Sequence, residues 1–379
     1  MTESVNYTLI NATGELVAFC DQAKQHGWLV VDTEFVRTRT LYAELGLLQA
    51  KAGDQLILVD PLLDIDLSPL WALLRDPNMV TVVHAAGEDL EIFHRAKGAP
   101  ADLFDTQIAH AFLTDGKQIG YAGLVELMLN VELDKSQSRT DWLQRPLTKH
   151  QLDYAAADVE YLSEIYPRMR AQAVDSGKEA LILAECKEQV IKRGREPNAQ
   201  FAWRDVGGIS LLNGQQRAIL RELTIWRLAL AREHNIALPF IAKDHALIEI
   251  ARTEARSRYG LSQIEELHPI SLRRYSKDIL ACVEKGLAVP ESEYPEAIPR
   301  FDQDGAYKRY FREAKAVLKE IAAAEAIPAS MLGSRKQIND VYVWENFTPD
   351  STRSQIEPPD LYSGWRGALL KEALRSILP

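Results

Sequence analysis

The first 170 residues alternate short apolar runs with segments of helical periodicity. Four runs predict β-strands, and two of them are continuously apolar, as expected for strands that are covered on both faces of a sheet. The four are "WLVVDTEF", "ELGLLQAKAG", "DQLILVD" and "VTVVHAA". Helical patterns follow in "EDLEIFHRA", "DTQIAHAFL" and "AGLVELML". The pattern therefore predicts a mixed α/β domain.

A longer helix is predicted after Pro146, in "LTKHQLDYAAADVEYLSEIYPRM". Thr148 precedes Gln151 by three residues, which is the spacing of a capping box at a helix start. Apolar residues then recur at helical intervals, at Leu152, Ala155, Val159 and Leu162. The helix is therefore expected to pack one face against the sheet.

From Asn213 onward no strand is predicted, and amphipathic helical stretches alternate with proline-bounded loops. Apolar positions in this region repeat at an offset of 91 residues. The matched positions are Ile241 with Leu332, Leu247 with Ile338, Ile250 with Val341, Ile279 with Leu370, and Val283 with Leu374. The repeat predicts two copies of one small helical module.

These changes of pattern divide the chain into four parts. Residues 1–195 form the α/β domain, and residues 196–208, where proline, glycine and charge mix without periodicity, form a linker. Residues 209–292 and 293–379 are the two helical modules. A length of 379 residues suits two or three domains that each bury a core.

Composition narrows the class of protein. With 46% hydrophobic and 26% charged residues, the chain is typical of a soluble globular protein. The three cysteines are far apart and predict buried free thiols, not a disulfide framework or a zinc site. The amino-terminal segment lacks the pattern of a signal peptide and no later run is long enough to span a bilayer, so the expected location is the cytoplasm, with no membrane partner. No obligatory protein partner is indicated.

The net charge of −10 argues against a protein that holds nucleic acid by bulk electrostatics. The excess of acidic over basic residues is confined to the first part of the chain. Up to Arg170 there are 25 acidic and 14 basic residues, and the remainder has 29 acidic and 30 basic. Carboxylates gathered in the first part are suited to divalent metals, while the helical modules can present local basic faces.

Acidic residues stand where predicted strands end and helices begin. Asp32 and Glu34 close the first predicted strand and share one face, so a cation is expected between them. Asp89 follows Gly87 at the start of a helix, and Tyr154 and Asp158 are four residues apart on one helix face. Each motif also has a purely structural explanation. Asp32 and Glu34 can simply end a strand, Asp89 can be an acid favoured by the helix dipole, and Tyr154 and Asp158 can be half-buried polar residues of an amphipathic helix. Their occurrence together predicts a common site.

These motifs resemble the tyrosine-bearing branch of the DEDD exonuclease superfamily. The matching segments are "VDTEF", "HAAGED" and "YAAAD". The surrounding segments "LFDTQIAHAFL" and "LDKSQSRTDWLQRPLTKHQLDYAAADVEYL" are similar to the ribonuclease D family, and the carboxyl-terminal pair resembles two HRDC domains. The resemblance implies an RNase H-like α/β exonuclease domain, a mixed sheet flanked by helices, followed by two all-α HRDC-type domains.

The resemblance also implies a reaction. Phosphodiester hydrolysis is assisted by two divalent ions about 3.5 to 4 Å apart, and oxygen ligands suit Mg²⁺ or Mn²⁺. Asp32 would bridge both ions, and Glu34, Asp89 and Asp158 would complete the ligand set. Tyr154 would orient the attacking water, because its unperturbed pKa of about 10 makes it a poor base. The implied substrate is RNA, with the 3′ ends of tRNA precursors as leading candidate and nucleoside 5′-monophosphates as products.

Four further residues are candidates for substrate contact. His84 lies beside the second motif, Phe35 follows the first, and Lys135 and Arg139 lie in the polar segment before the third. A hydrogen-bonded core histidine, a buried phenylalanine and solvated loop cations are the structural alternatives. Basic residues also recur along two predicted helices of the modules. They are Arg217, Arg221, Arg227 and Arg232 in one helix, and Lys308, Arg309, Arg312, Lys315 and Lys319 in the other.

Two other functions stay open at this stage. A DNA exonuclease of the proofreading type would use the same motifs, although the sequence has a pair of HRDC-like modules and no polymerase or helicase region. A catalytically inactive RNA-binding scaffold would keep the fold without the chemistry, although all five motif residues are present. An assay of metal-dependent mononucleotide release from matched RNA and DNA strands distinguishes the exoribonuclease, the DNA exonuclease and the inactive scaffold.

Overall fold

The computed structural model describes residues 5–133, 140–301 and 304–378. The chain divides into two compact units. The first comprises Met1–Arg37, Ala43–Arg195 and Lys319–Leu332, and the second comprises Thr38–Tyr42, Glu196–Leu318 and Gly333–Pro379. The division falls inside one helix, between Leu318 and Lys319. The four-part division drawn from the sequence stays a prediction.

The described residues of the first unit form a six-stranded mixed sheet with the order β1-β4-β3-β2-β5-β6. β2 pairs antiparallel with β3, as does β3 with β4, and the other pairs are parallel. The strands are β1 Thr8–Ile10, β2 Trp28–Val36, β3 Glu44–Ala52, β4 Gln55–Val59, β5 Val80–Val83 and β6 Asp102–Asp105. A mixed sheet was predicted and is confirmed.

Two strands were not predicted from the sequence. β1 has three residues and β6 has four, so neither is long enough for alternation of polar and apolar positions to be recognised. The four strands that were predicted contain the apolar runs that are buried in the sheet, among them Leu29, Val30 and Val31. Burial of apolar surface therefore explains the strands that the sequence reveals.

Helices cover the sheet of the first unit. They are α1 Thr13–Ala23, α2 Ser68–Leu74, α3 Gly87–Arg95, α4 Thr106–Leu113, α5 Tyr121–Leu129, α6 Lys149–Asp175 and α7 Glu179–Arg193. The predicted capping box at the start of α6 is present, with Thr148 and Gln151 each bonding the backbone of the other. α6 packs against β2, β3, β4 and β5, so it lies along the centre of the sheet.

The remainder of the described chain is helical. The helices are α8 Gly214–His234, α9 Leu238–Ile241, α10 Asp244–Thr253, α11 Arg258–Ser262, α12 Pro269–Leu287, α13 Gly305–Ala324, α14 Ala329–Leu332, α15 Arg335–Phe347, α16 Asp350–Arg353 and α17 Gly364–Ser376. Short 3₁₀ helices occupy Ala199–Asp205, Ile209–Leu211, Glu291–Glu293 and Asp360–Tyr362. None of the helices in the described ranges is long and apolar enough to span a membrane.

The internal repeat is visible in these helices. α8 and α13 begin 91 residues apart, at Gly214 and Gly305, and α9 and α14 share the same offset. All ten apolar positions matched in the sequence are buried. Because equivalent positions fill equivalent places in each core, the apolar matches reflect two copies of one helical module.

The segment 196–208, predicted as a linker, is packed. It contains the 3₁₀ helix Ala199–Asp205, and the side chains of Trp203 and Val206 are buried in the hydrophobic core of the second unit. Leu223, Leu247 and other buried residues of α8 and α10 share that core. The segment therefore contributes to the stability of the helical unit in addition to connecting the chain. Cys20, Cys186 and Cys282 are free and buried, as expected.

Candidate active site

β2 positions the first two acids of the site. Leu29, Val30 and Val31 are buried, and the half-buried Asp32 and Glu34 follow on this strand, which α6 contacts. The register with β3 shifts between Glu34 and Phe35, which indicates a β-bulge. A bulge redirects the side chains beside it, and pairing with β3 continues in the shifted register at Phe35 and Val36.

A tight turn positions Asp89 on α3. Ala85, just after β5, has a φ of 59°, a left-handed backbone conformation that is uncommon for alanine. The buried carboxylate of Asp105 holds this turn, because it accepts hydrogen bonds from the backbone N–H groups of Ala85 and Ala86, each at 3.0 Å. Asp105 also accepts from Gln107 N–H at the start of α4. One carboxylate thus fixes where α3 and α4 begin.

α6 positions Tyr154 and Asp158. The two residues are one turn apart, and the Tyr154 hydroxyl donates a hydrogen bond to the Asp158 carboxylate. Two residues further along, Glu160 forms an ion pair of 2.6 Å with Lys51 of β3. This pair lies next to the site and ties α6 to the sheet, so the acids on the helix are held in register with those on β2.

Three of the four carboxylates converge. Asp32, Glu34 and Asp158 each offer an oxygen, and the three oxygens lie within 4.8 Å of one another. Asp89 is buried beside them, and its Oδ1 accepts a short hydrogen bond from the Thr33 hydroxyl. The predicted acids are therefore brought together, with Asp89 engaged by the residue that separates Asp32 from Glu34.

The electrostatics of the four acids reflect an uncompensated negative cluster. Burial raises the pKa of Asp32 far above its usual range, and Asp89, Asp158 and Glu34 raise it further by repulsion. Burial, followed by repulsion from Asp158 and Asp89, raises the pKa of Glu34 to about 9. Burial raises the pKa of Asp158 to about 7 and that of Asp89 to about 6. The largest contributions that raise these pKa values are burial and the neighbouring carboxylates.

This donor set fits divalent metal ions. It consists of carboxylate oxygens, which are the ligands that Mg²⁺ and Mn²⁺ prefer, without a thiolate or imidazole in the cluster. The carboxylates repel one another in a partly buried place, and a bound cation would relieve that repulsion. The phenol of Tyr154 has its pKa raised by burial and by Asp158, so it stays neutral at physiological pH.

A cleft of about 420 Å³ opens onto the acids. Asp32, Tyr154 and Asp158 line it, and so does the first turn of α5. The remaining lining residues are His84, Gly120, Leu133 and Leu162. The site therefore has room for part of a substrate directly beside the carboxylates.

Three family models match this chain. One, described as "3'-5' exonuclease", matches residues 7–173; "HRDC domain" matches residues 216–283; and "Ribonuclease D, C-terminal HRDC domain" matches residues 305–374. Ribonuclease D of Escherichia coli (strain K12) is 38% identical over 375 residues, which cover 99% of each chain. Ribonuclease D of Cronobacter turicensis is 38% identical over 371 residues, covering 98% of this chain and 99% of that one. The chain belongs to the ribonuclease D family.

A solved structure supports this membership. The crystal structure of Escherichia coli RNase D, "an exoribonuclease involved in structured RNA processing", has a TM-score of 0.90, 38% sequence identity and 98% coverage of both chains. The expected fold, an RNase H-like exonuclease domain followed by two HRDC domains, is confirmed. As a member of the ribonuclease D family, the protein is by class a 3′–5′ exoribonuclease.

The candidate substrate residues have different surroundings in this ribonuclease D fold. His84 lines the cleft, and its Nε2 donates to the carbonyl oxygen of Ile119 at 3.1 Å while its Nδ1 pairs with the Thr106 hydroxyl at 3.0 Å. Burial lowers the pKa of this histidine. Phe35 is half-buried beside the bulge. Lys135 and Arg139 lie outside the described residues.

Sequence reasoning missed two residues that support the site. Thr33 lies inside the first motif, but its hydroxyl partner is 56 residues away, and no sequence signal reveals such a contact. Asp105 does have a local sequence signal: aspartate is a preferred N-cap residue, and Asp105 directly precedes the helix α4. The structure adds that the same carboxylate holds the turn that leads to Asp89.

Proposed function

We propose that Asp32, Glu34, Asp89 and Asp158 hold two divalent ions, Mg²⁺ or Mn²⁺, and that the protein removes nucleoside 5′-monophosphates from the 3′ ends of RNA. The leading substrate is the 3′ end of tRNA precursors. One observation carries the proposal: the half-buried carboxylates of Asp32, Glu34 and Asp158 converge within 4.8 Å beside a cleft of about 420 Å³, which is large enough to admit the end of a strand.

Each acid has a part that follows from its position. Asp32 receives repulsion from all three other acids, so its carboxylate is the one best placed to be shared between two ions. Glu34 and Asp158 complete the converging group, and the Thr33 hydroxyl holds the carboxylate of Asp89. When bound, the two ions would supply a nucleophilic hydroxide at neutral pH and neutralise charge on the attacking and leaving oxygens.

Tyr154 acts as a neutral hydrogen-bonding group. Its hydroxyl is tied to Asp158 and borders the cleft, so it is placed to orient the attacking water. The water oxygen forms a bond to the terminal phosphorus, and the bond from phosphorus to the 3′ oxygen of the preceding nucleotide breaks. The water proton passes to solvent and the leaving 3′ oxygen takes up a proton. The products are a nucleoside 5′-monophosphate and an RNA shortened by one nucleotide.

The experiment uses a 5′-end-labelled tRNA precursor with a 3′ extension and a DNA strand of the same sequence. With Mg²⁺ the RNA should give a ladder that recedes from the 3′ end one nucleotide at a time, and chelator should abolish it. Equal degradation of the DNA strand would instead indicate an exonuclease of the proofreading type. Binding without any metal-dependent release of mononucleotides would indicate an inactive RNA-binding scaffold.

A further inference from the structure

The two long helices that carry basic residues differ in what those residues contact. On α8 the four arginines are used within the protein. Arg217 donates to the carbonyl oxygens of Leu212 and Pro295, Arg221 lies 3.6 Å from Glu222, Arg227 is buried against Ala242 and Asp244, and Arg232 pairs with Glu196 and Pro197. The expectation that α8 presents a basic face for RNA therefore has no support in the structure.

On α13 the basic residues are exposed. Lys308, Arg312 and Lys315 all face solvent, and their spacing of four and three residues places them on one side of the helix. Lys308 and Lys315 form no ion pair with the described residues, and Arg312 reaches only Glu313, at 3.9 Å. In the part of the chain that the structure describes, the ammonium groups of Lys308 and Lys315 are therefore exposed and not engaged by a carboxylate.

An aromatic ring extends this surface to α15. Lys315 Nζ lies 5.9 Å from the ring centre of Phe311, and the guanidinium of Arg335, at the start of α15, lies 5.4 Å from it. Arg335 is also exposed. Two cations held over one ring keep their positions better than freely rotating side chains do, so less ordering is needed when an anion binds.

We propose that Lys308, Arg312, Lys315 and Arg335, here called the α13 basic face, bind phosphate groups of the RNA substrate. From Lys308 to Lys315 the face runs about 10 Å along the helix. Cations spread over that length can contact successive phosphates of one strand, which carries one negative charge per nucleotide. The inference rests on the proposed function, because it takes RNA as the substrate.

Electrostatics favour RNA over other anionic partners. The first 170 residues carry 25 acidic and 14 basic residues, so the catalytic part repels a phosphate backbone at long range. An exoribonuclease needs a compensating cationic surface, and evenly spaced cations along a helix suit a polyanion with evenly spaced charges. A lipid surface would be expected to draw on exposed apolar side chains, whereas the ring of this face, Phe311, is flanked by cations.

The test compares two triple variants with the same change of charge. One is Lys308→Gln, Arg312→Gln and Lys315→Gln. The control is Arg273→Gln, Arg274→Gln and Lys277→Gln, three exposed cations on α12 of the other module. Affinity for a structured RNA is measured in chelator across a salt titration, and cleavage of a short oligoribonucleotide is measured with Mg²⁺.

Removing three phosphate contacts should reduce the slope of log affinity against log salt by about 2, since each contact to a single strand contributes about 0.7. Affinity at low salt should fall more than tenfold, whereas the control keeps the wild-type slope. Both variants should cut the short oligomer at the wild-type rate. Unchanged RNA binding in the α13 variant, or an equal loss in the control, overturns the proposal.

A third arm addresses other anions. Binding to vesicles that contain phosphatidylserine is measured for the same proteins, and weaker vesicle binding with unchanged RNA affinity in the α13 variant also overturns the proposal. Because RNA binding is measured without metal, failure of the wild-type protein to cut the oligomer contradicts the proposed function alone. The results therefore distinguish failure of the proposed exoribonuclease function from failure of RNA binding by the α13 basic face.

Discussion

The hydroxyl of Thr33 donates a hydrogen bond to Oδ1 of Asp89. Thr33 lies between Asp32 and Glu34 on β2, and the charge of Asp89 raises the pKa of both acids. The bond connects the first motif to the second across 56 residues. It fixes the orientation of a buried carboxylate that the proposed metal site requires.

Thr33→Val is expected to lower kcat by about 10- to 150-fold, because a hydrogen bond to a charged group contributes about 1.5 to 3 kcal/mol. Valine keeps the shape of threonine, so the fold should be retained. Thr33→Ser keeps a hydroxyl and is the matched control, expected to stay within about threefold of wild type. Steady-state kinetics over a range of Mg²⁺ concentrations checks this, and equal kcat for the two variants would show that the bond has no role in catalysis.

Asp32→Asn and Asp158→Asn should each reduce exonuclease activity by more than about 100-fold, beyond the 10- to 100-fold range typical of groups outside the ligand shell. Each change removes one negative charge from a repelling cluster and creates no cavity in an apolar core. The melting temperature in chelator should therefore hold or rise. Near-normal turnover in either variant would remove that residue from the site.

Tyr154→Phe should cause a smaller loss, between about 5- and 50-fold, seen mostly in kcat. The phenol is neutral because burial and Asp158 raise its pKa, so the substitution removes a hydrogen bond and no charge. KM should change little, because the ring that contacts the cleft is retained. A tyrosine with a purely structural role would give an unchanged rate.

Stability without metal should fall as pH rises. In the folded protein the pKa values of Asp89, Asp158 and Glu34 are raised to about 6, 7 and 9, above the usual values of 3.8 for Asp and 4.5 for Glu. Their contribution to stability is therefore complete below about pH 4 and is lost as pH rises through the folded pKa values. Carboxylates elsewhere in the protein change its stability with pH in other ways. The effect of the site is therefore isolated by comparing the wild type with a variant that lacks one of these acids.

The difference in melting temperature between Asp158→Asn and wild type, both in chelator, should grow in favour of the variant from about pH 5 to about pH 8. Adding Mg²⁺ at the upper pH should raise the melting temperature of the wild type more than that of the variant. A difference that does not change with pH would contradict the assignment of Asp158 to a repelling cluster.

The sequence predicts those elements of the fold that depend on neighbouring residues, such as apolar runs, helix caps and helical periodicity. The central strands were found because their apolar runs are buried, and α6 was found through its capping box and its periodic apolar face. β1 and β6 were missed because three or four residues carry too little pattern. The convergence of Asp32, Glu34 and Asp158 followed from the order of the motifs and the family resemblance.

Contacts between distant segments were beyond the reach of sequence patterns. The partners of the buried Arg227 lie outside α8, so the charge pattern along that helix does not reveal that this arginine is used within the protein. The same limit applies to the second role of Asp105: its N-cap contact with α4 is local, but its contact with the Ala85–Ala86 turn joins distant segments. Tertiary structure decides whether a charged side chain is available for a ligand or is used within the protein.

The central claim is that four carboxylates hold two ions, and counting the ions tests it most directly. Mn²⁺ is titrated into the protein in the presence of a nucleoside 5′-monophosphate and followed by electron paramagnetic resonance. Wild type should bind two Mn²⁺ ions close enough for their spins to couple, and Asp32→Asn should lose that coupled signal. A single uncoupled ion in the wild type, or an unchanged coupled pair in Asp32→Asn, would contradict the two-ion site.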